Sequence, residues 1–301
     1  MPKASYSQEI ERGLRVAEAN IYHEDKIWSR YSNDKVDIGE VLASVIRTLH
    51  KALPITKPMK ALSIGSGAEP QFRILETAFR GGLHLLDMDD TSLDILRERI
   101  HRQATDHASV VRADFKEIFR DARKTRAFME TELAGGRVEL ITLHHSLYYA
   151  AESDWLPILA NLYKSALAST GALHAVLMAN QSDDPATTTW LYNHFVGKFF
   201  GARNEQDLRA FAASLKKRPL FRNAQVLVKT NRVRFRAPDF EKLMAVVWMI
   251  LLYPDVHPYS EKQRREITEF VHQRFWQKDQ PLIQLQDHMV IYRGIPFKGL
   301  I

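Results

Sequence analysis

Lys60-Ala-Leu-Ser-Ile-Gly-Ser-Gly-Ala-Glu-Pro70 is the stretch that decides how this chain reads. Its first half is a short apolar run of the kind that fills a buried strand, and it stops abruptly in two glycines and opens a helix near Phe72. Gly65 and Gly67 admit backbone angles closed to other residues and leave bare backbone for a ligand to lie against. The helix that follows turns unpaired N–H groups and the positive end of its dipole toward the same place. In an open α/β sheet the ligand crevice lies outside the carboxyl ends of the strands, where the strand order reverses.

Outward from this turn, short apolar runs alternate with longer amphipathic ones from residue 60 to about 179, the pattern of parallel strands joined by crossover helices. Strands are expected at 61–64, 83–87, 109–112, 138–143 and 172–179, with helices beginning near Phe72, Thr91, Phe119 and Asp154. Two helices are expected before residue 60, the second over 38–52 and stopped by Pro54. Beyond the fifth strand, 183–219 reads as helical, and 224–235 alternates apolar and polar residues as a half-exposed strand does. A final strand is expected at 288–294. Between those two late strands lies a helical insertion, 238–277, broken around Pro254 and Pro258. The expected architecture is therefore α/β, a doubly wound, seven-stranded, mostly parallel Rossmann-like sheet. An N-terminal helical cap, 1–59, precedes a main domain, 60–301, that carries the insertion before its last strand.

The 301 residues, 45% hydrophobic and 26% charged, suffice for a sizeable core. The opening Met-Pro-Lys-Ala-Ser-Tyr-Ser-Gln lacks the apolar stretch of an export signal, so a cytoplasmic location is expected. The longest apolar run, 243–253, covers about half of the ~20 residues a membrane-spanning helix needs, so no membrane partner is expected. Cysteine is absent, which excludes disulfides, thiolate zinc sites and cysteine-ligated iron–sulfur clusters. A net charge of +6 permits contact with nucleic acid, but the basic runs at 120–126 and 216–218 fall on expected helices, where they read as solvated faces.

Two more strand ends carry chemistry. Leu83-His-Leu-Leu-Asp-Met-Asp89 ends in acid, with Asp87 placed 20 residues after Gly67, and a carboxylate at that spacing can accept both hydroxyl hydrogens of a ribose. Asp114, in Val111-Arg-Ala-Asp-Phe115, closes the third strand and can hold the exocyclic amine of an adenine, with Phe115 or Met88 against the ring.

These strings carry a resemblance. Leu-Ser-Ile-Gly-Ser-Gly-Ala-Glu-Pro resembles the first motif of class I S-adenosylmethionine-dependent methyltransferases. Leu-Leu-Asp-Met-Asp resembles their ribose-binding acid, and Arg-Ala-Asp-Phe their adenine-contacting segment. Val138-Glu-Leu-Ile-Thr-Leu-His-His-Ser-Leu-Tyr-Tyr149 is similar to the family's segment after the fourth strand, which touches cofactor and substrate. The serine in Leu-Ser-Ile-Gly and the run Leu147-Tyr148-Tyr149 add a local likeness to histamine N-methyltransferases. The resemblance implies that S-adenosylmethionine is bound and S-adenosylhomocysteine released. Gly65, Ser66 and Gly67 would frame the methionine part, Asp87 the ribose, Met88, Asp114 and Phe115 the adenine, and His144 would lie beside the sulfonium. Two positions depart from the family pattern. Ser63 stands where an acid commonly orients the cofactor's amino group, and Glu69 stands where a third glycine is common, in a place to supply the missing charge.

His145 is the candidate base for an acceptor that must lose a proton, and Tyr149 and Tyr148 are expected beside it, with Tyr22 and Tyr31 of the aromatic N-terminal segment as further pocket walls. Successive side chains of an extended strand face opposite ways, so His144 and His145 cannot share a metal, and none is expected. The helix expected from Phe240 is apolar on nearly every side, and so either roofs an apolar acceptor site or forms a homodimer interface. The expected function is methyl transfer to a small-molecule N or O acceptor. Two alternatives stay open: an NAD-dependent oxidoreductase, which Pro70 at the third glycine position disfavours, and a methyltransferase-like protein that binds ligand without turnover. His144-His-Ser-Leu147 replaces the Asn/Asp-Pro-Pro-aromatic motif common in base-modifying enzymes, which argues against nucleic acid but leaves RNA open.

Overall fold

In the computed structural model, which describes residues 5–16, 21–252 and 257–295, the apolar run after Lys60 is a strand with four of its five residues buried. It is β1 (Lys60–Ile64) of a single seven-stranded sheet with β2 (Gly82–Asp87), β3 (Ala108–Arg112), β4 (Val138–His144), β5 (Leu167–Met178), β6 (Ala224–Phe235) and β7 (Leu282–Arg293). The strand order is β3-β2-β1-β4-β5-β7-β6. β1 pairs in parallel with β2 and β4, β2 with β3, and β4 with β5. His174 of β5 meets His288 of β7, while Ala179, just beyond β5, meets Leu285, so the partner number falls as the first rises and β7 runs against β5. The chain steps outward from β1 to β3 and then returns to the other side of β1. The ligand crevice of such a sheet is therefore fixed at the carboxyl ends of β1 and β4.

The described helices are α1 (Tyr6–Val16), α2 (Ile21–Tyr31), α3 (Asp34–Ala52), α4 (Phe72–Ala78), α5 (Asp90–Arg102), α6 (Phe115–Phe119), α7 (Ala122–Glu132), α8 (Glu152–Asn161), α9 (Thr188–Phe200), α10 (Leu208–Leu215), α11 (Phe240–Leu251) and α12 (Glu261–Val271). None is long and apolar enough to cross a membrane.

The chain divides into two compact units. One comprises Ile38–Leu177, Leu208–Lys229 and Asp287–Ile301, and its sheet is covered on both faces. Leu62, Ile64, Leu86, Ile141 and Leu143 pack with Phe119, Phe128, Trp155 and Phe211, from α6, α7, α8 and α10. Ala61, Leu83, Leu85 and Leu140 point the other way, into Leu42, Leu49, Leu75 and Leu93, from α3, α4 and α5. Alternate residues of one strand thus enter different cores, as parallel strands buried on both faces must.

The other unit comprises Met1–Asp37, Met178–Asp207 and Thr230–Gln286. Its centre is α11, nine of whose twelve residues are buried. The all-round apolarity of α11 is used inside this unit: α1, α2 and α9 pack on it, and Val233, Phe235 and Leu282 close the same core. The apolarity that suggested a roof over an acceptor or a subunit interface is thus accounted for by packing within the unit.

Other differences have local causes. Two helices were expected before residue 60, and the structure has three; the last of them, α3, begins at Asp34, four residues before the expected 38, where the chain turns after α2. There Asn33 N–H donates to Arg234 O and Ser32 Oγ accepts from Asp34 N–H. The helix expected near Phe119 is two, since Asp121 accepts from Arg123 and Lys124 N–H and starts α7 afresh. β7 begins six residues before the expected 288, at Leu282, because its buried amides find partners: Gln284 Nε2 donates to Gln286 Oε1 (2.9 Å) and Gln286 Nε2 to Asp37 Oδ2 (2.9 Å). Pro254, one of the expected breaks in the insertion, lies outside the described residues.

Candidate functional site

Three strand ends meet at the carboxyl edge. The turn after β1 carries positive φ at Gly65 (+65°), Gly67 (+49°) and Glu69 (+45°). Gly65 and Ser66 N–H both donate to Leu86 O, so the turn is pinned to the end of β2. Gly67 N–H donates to Asp87 Oδ2 at 2.7 Å, and Asp87 Oδ1 accepts from Met88 N–H (2.8 Å) and Asp89 N–H (2.9 Å). The backbone of Asp87 also accepts from Ala113 N–H, which brings the end of β3 alongside. Asp114 starts α6 by accepting from Lys116 N–H at 2.9 Å. Gly65, Gly67, Asp87 and Asp114 therefore line one edge. Phe115 is buried in the core beneath, whereas the Met88 side chain is exposed, so of the two expected ring contacts only Met88 faces outward.

Glu69 and Ser63 form a buried pair. Ser63 Oγ donates to Glu69 Oε2 at 2.5 Å, and Gln71 N–H donates to Oε1 at 3.1 Å. The glutamate thus folds back and sets its carboxylate on the serine at the end of β1. Burial raises the Glu69 pKa, with Ser63, Gln71 and Arg99 pulling the other way. Arg99 of α5 clamps the turn, donating to Ala68 O (3.0 Å) and Glu69 O (3.2 Å), and its guanidinium lies 5.3 Å above the Phe72 ring. A carboxyl held above its ordinary 4.5 binds its proton more tightly folded than unfolded. Its contribution to stability is therefore greatest below that value and declines as pH rises through the raised one. Glu69→Gln keeps a donor and an acceptor for Ser63 and Gln71 without the charge. We expect it to gain on the order of 1 kcal/mol in urea unfolding at pH 7, a difference that shrinks toward pH 4.5. A less stable variant at pH 7 would contradict this account of Glu69.

Beside this pair, three buried hydroxyls have no hydrogen-bond partner among the described residues: Ser66 Oγ, Thr142 Oγ1 and Ser146 Oγ. Thr142 is in register with Ser63 across β1 and β4, and the Ser146 side chain lies so close to Gly65 that a Cβ there would come within 2.4 Å of it. A Cβ on Gly67, by contrast, would meet nothing within 4 Å. Each buried hydroxyl left unbonded costs about 1–3 kcal/mol, a cost offset where a ligand supplies the missing partner. The switch point thus combines bare backbone, open space and unused polar atoms, which fits the amino acid end of an adenosyl cofactor.

At the end of β4 the backbone turns sharply. His145 has φ +54°, donates its N–H to Val176 O at 2.9 Å, and stacks on the Tyr148 ring at 5.9 Å and 10°. A histidine held at positive φ is uncommon and marks a place to look for function. Tyr149 projects into solvent, and Trp155 Nε1 fixes the turn by donating to Leu147 O and Ala150 O. His144 lies with Nε2 3.0 Å from Nδ1 of His174. The structure therefore brings His144, His145, Tyr148 and Tyr149 to the β4 end, next to Gly65 through Ser146. Tyr31 is half-buried at the end of α2 in the other unit, and the side chain of Tyr22 lies outside the described residues. Among the described residues no group of three or more His, Asp and Glu could hold a metal. Sequence reasoning missed Arg99, Thr142, Ser146, His174 and His288. Of these, only His174, a lone polar ring within the apolar Leu173-His-Ala-Val-Leu177, gave a signal.

No family model matches the sequence, and no curated protein matches it. Among solved structures, the chain is similar to the YcgJ protein of Bacillus subtilis at 11% identity and a TM-score of 0.50, covering 85% of this chain and 99% of that one. It is similar to a candidate sarcosine dimethylglycine methyltransferase of Galdieria sulphuraria at 12% identity and a TM-score of 0.50, covering 87% of each. At these identities the likeness is one of fold alone.

Proposed function

We propose that the chain is an S-adenosylmethionine-dependent methyltransferase acting on a small-molecule N or O acceptor, with S-adenosylhomocysteine as product. The observation that carries this reading is the junction of Gly67 N–H with the Asp87 carboxylate at the switch point, beside three unbonded buried hydroxyls. Gly65, Ser66 and Gly67 hold the methionine part, Glu69 supplies negative charge for its amino group through the Ser63 corner, Asp87 takes the ribose, and Asp114 and Met88 flank the adenine over Phe115. The bound sulfonium supplies an already activated methyl, which leaves the chain to orient the acceptor and receive its proton. His145 is the base in this reading, with His144, Tyr148 and Tyr149 lining the acceptor side.

Strand order weighs against the nicotinamide alternative. Dinucleotide domains run 3-2-1-4-5-6, whereas here an opposed seventh strand lies between the fifth and sixth. Calorimetry of the full chain against S-adenosylhomocysteine and against NAD tests the reading. S-adenosylhomocysteine is expected to bind and NAD not to, and the reverse result would overturn the proposal.

A further inference from the structure

Three histidines on three neighbouring strands form one row. His144 closes β4, His174 lies within β5 and His288 within β7, and these strands are adjacent in the sheet. His144 Nε2 is 3.0 Å from His174 Nδ1, and His174 Nε2 is 3.1 Å from His288 Nδ1. The row runs from the half-buried end of β4 into the interior, where His174 and His288 are buried.

Such a row has few allowed states. A neutral imidazole carries one N–H donor and one acceptor nitrogen. Burial, reinforced by His144 and His288 on either side, holds the His174 pKa well below its ordinary value, so that ring is neutral. With a single N–H, His174 can donate to only one neighbour and must accept from the other. If it donates from Nε2 to His288, then His144 donates from Nε2 to it. If it donates from Nδ1 to His144, then His288 donates from Nδ1 to it. In either case, with the outer rings neutral as well, all three share a tautomer.

We infer that His174 and His288 are positioning residues, which tie the choice of protonated nitrogen on His144, at the acceptor side of the site, to the choice made on His288. What this does for catalysis rests on the methyltransferase reading above; the shared tautomer does not. The state of His144 is then coupled to that of a residue two strands away, on β7. An isolated imidazole in water exchanges between tautomers, and a group that receives or donates a proton in one fixed geometry needs that exchange suppressed.

The test uses the full chain with 15N-labelled histidine. Long-range 1H–15N spectra identify each ring's tautomer, and single His→Gln substitutions assign the rings. His144, His174 and His288 are expected to show the same tautomer in the parent protein. His288→Phe, confirmed as folded by its melting transition, is expected to change the proportion of the two tautomers at His144, which keeps His174 as its neighbour, and His288→Asn, which keeps a polar partner for His174, to change it less. Different tautomers at these three rings in the parent, or an unchanged His144 in folded His288→Phe, would overturn the inference. In methyl transfer, His288→Phe is expected to lower kcat by about tenfold, with His288→Asn partly restoring it and S-adenosylhomocysteine affinity unchanged in both. If the parent binds no S-adenosylhomocysteine, the methyltransferase reading fails and the tautomer result stands. If it binds and the tautomers differ, the row alone fails.

Discussion

Gly65→Ala is expected to cost about 3 kcal/mol or more of folding stability, while Gly67→Ala, two residues along the same turn, costs about 1 kcal/mol and instead loses the cofactor. Both glycines sit in the left-handed region, at φ +65° and +49°, so each alanine carries the same backbone penalty. They differ in what surrounds them. A methyl on Gly65 would lie 2.4 Å from Ser146 Cβ and 3.5 Å from its Cα, and the β4 turn would have to shift to admit it. The methyl on Gly67 would meet no protein atom within 4 Å and would stand in the space assigned to the ligand. Urea unfolding ranks the two for stability, and calorimetry with S-adenosylhomocysteine is expected to show at least about a tenfold loss, ~1.4 kcal/mol, for Gly67→Ala. If Gly67→Ala bound the ligand as the parent does, the bare backbone there would not be the floor of the site.

Asp87→Ala is expected to weaken S-adenosylhomocysteine binding on the order of 100-fold, about 2.7 kcal/mol. The carboxylate has two tasks. It gathers Gly67, Met88 and Asp89 N–H groups, which holds the ends of β1 and β2 together, and it presents a negative charge where the ribose hydroxyls are assigned. Removing it leaves three donors to water and loosens the turn, so a drop of about 1–2 kcal/mol in stability accompanies the loss of affinity. Asp87→Asn keeps an acceptor oxygen without the charge and is expected to fall between parent and alanine in both measurements. Retention of full affinity in Asp87→Ala would remove the acid from the site.

The edge of the sheet that carries these residues is legible in the sequence because its signals are local. Apolar runs of strand length ending in Gly65, Asp87 and Asp114 place the three turns by themselves, and Glu69 could be marked as a compensating acid from its position alone. What escaped was decided by partners distant in the chain. Gln284, Gln286 and Asp287 lie ahead of the strand expected at 288–294, and what brings them into β7 includes Asp37, some 250 positions earlier, bonded to Gln286. The apolar circumference of α11 signals that it is covered on every side, but the elements that cover it, α1, α2 and α9, all precede it in sequence, by some 40 to 230 positions, and have no marker that assigns them. His174 is visible as an oddity in a hydrophobic strand, while its neighbours, 30 and 114 residues away, are not.

The place of β7 in the sheet bears on how the molecule is made. Of the seven strands it leaves the ribosome last, yet it is the wedge between β5 and β6, so those two can reach their final arrangement only after the chain has passed residue 293. Until then β5 and β6 each present a row of unpaired amides and carbonyls, the kind of edge that recruits strands from other chains. A nascent protein stalled or cut short of residue 282 would carry both edges open, which makes the closing strand a guard against misassembly during synthesis.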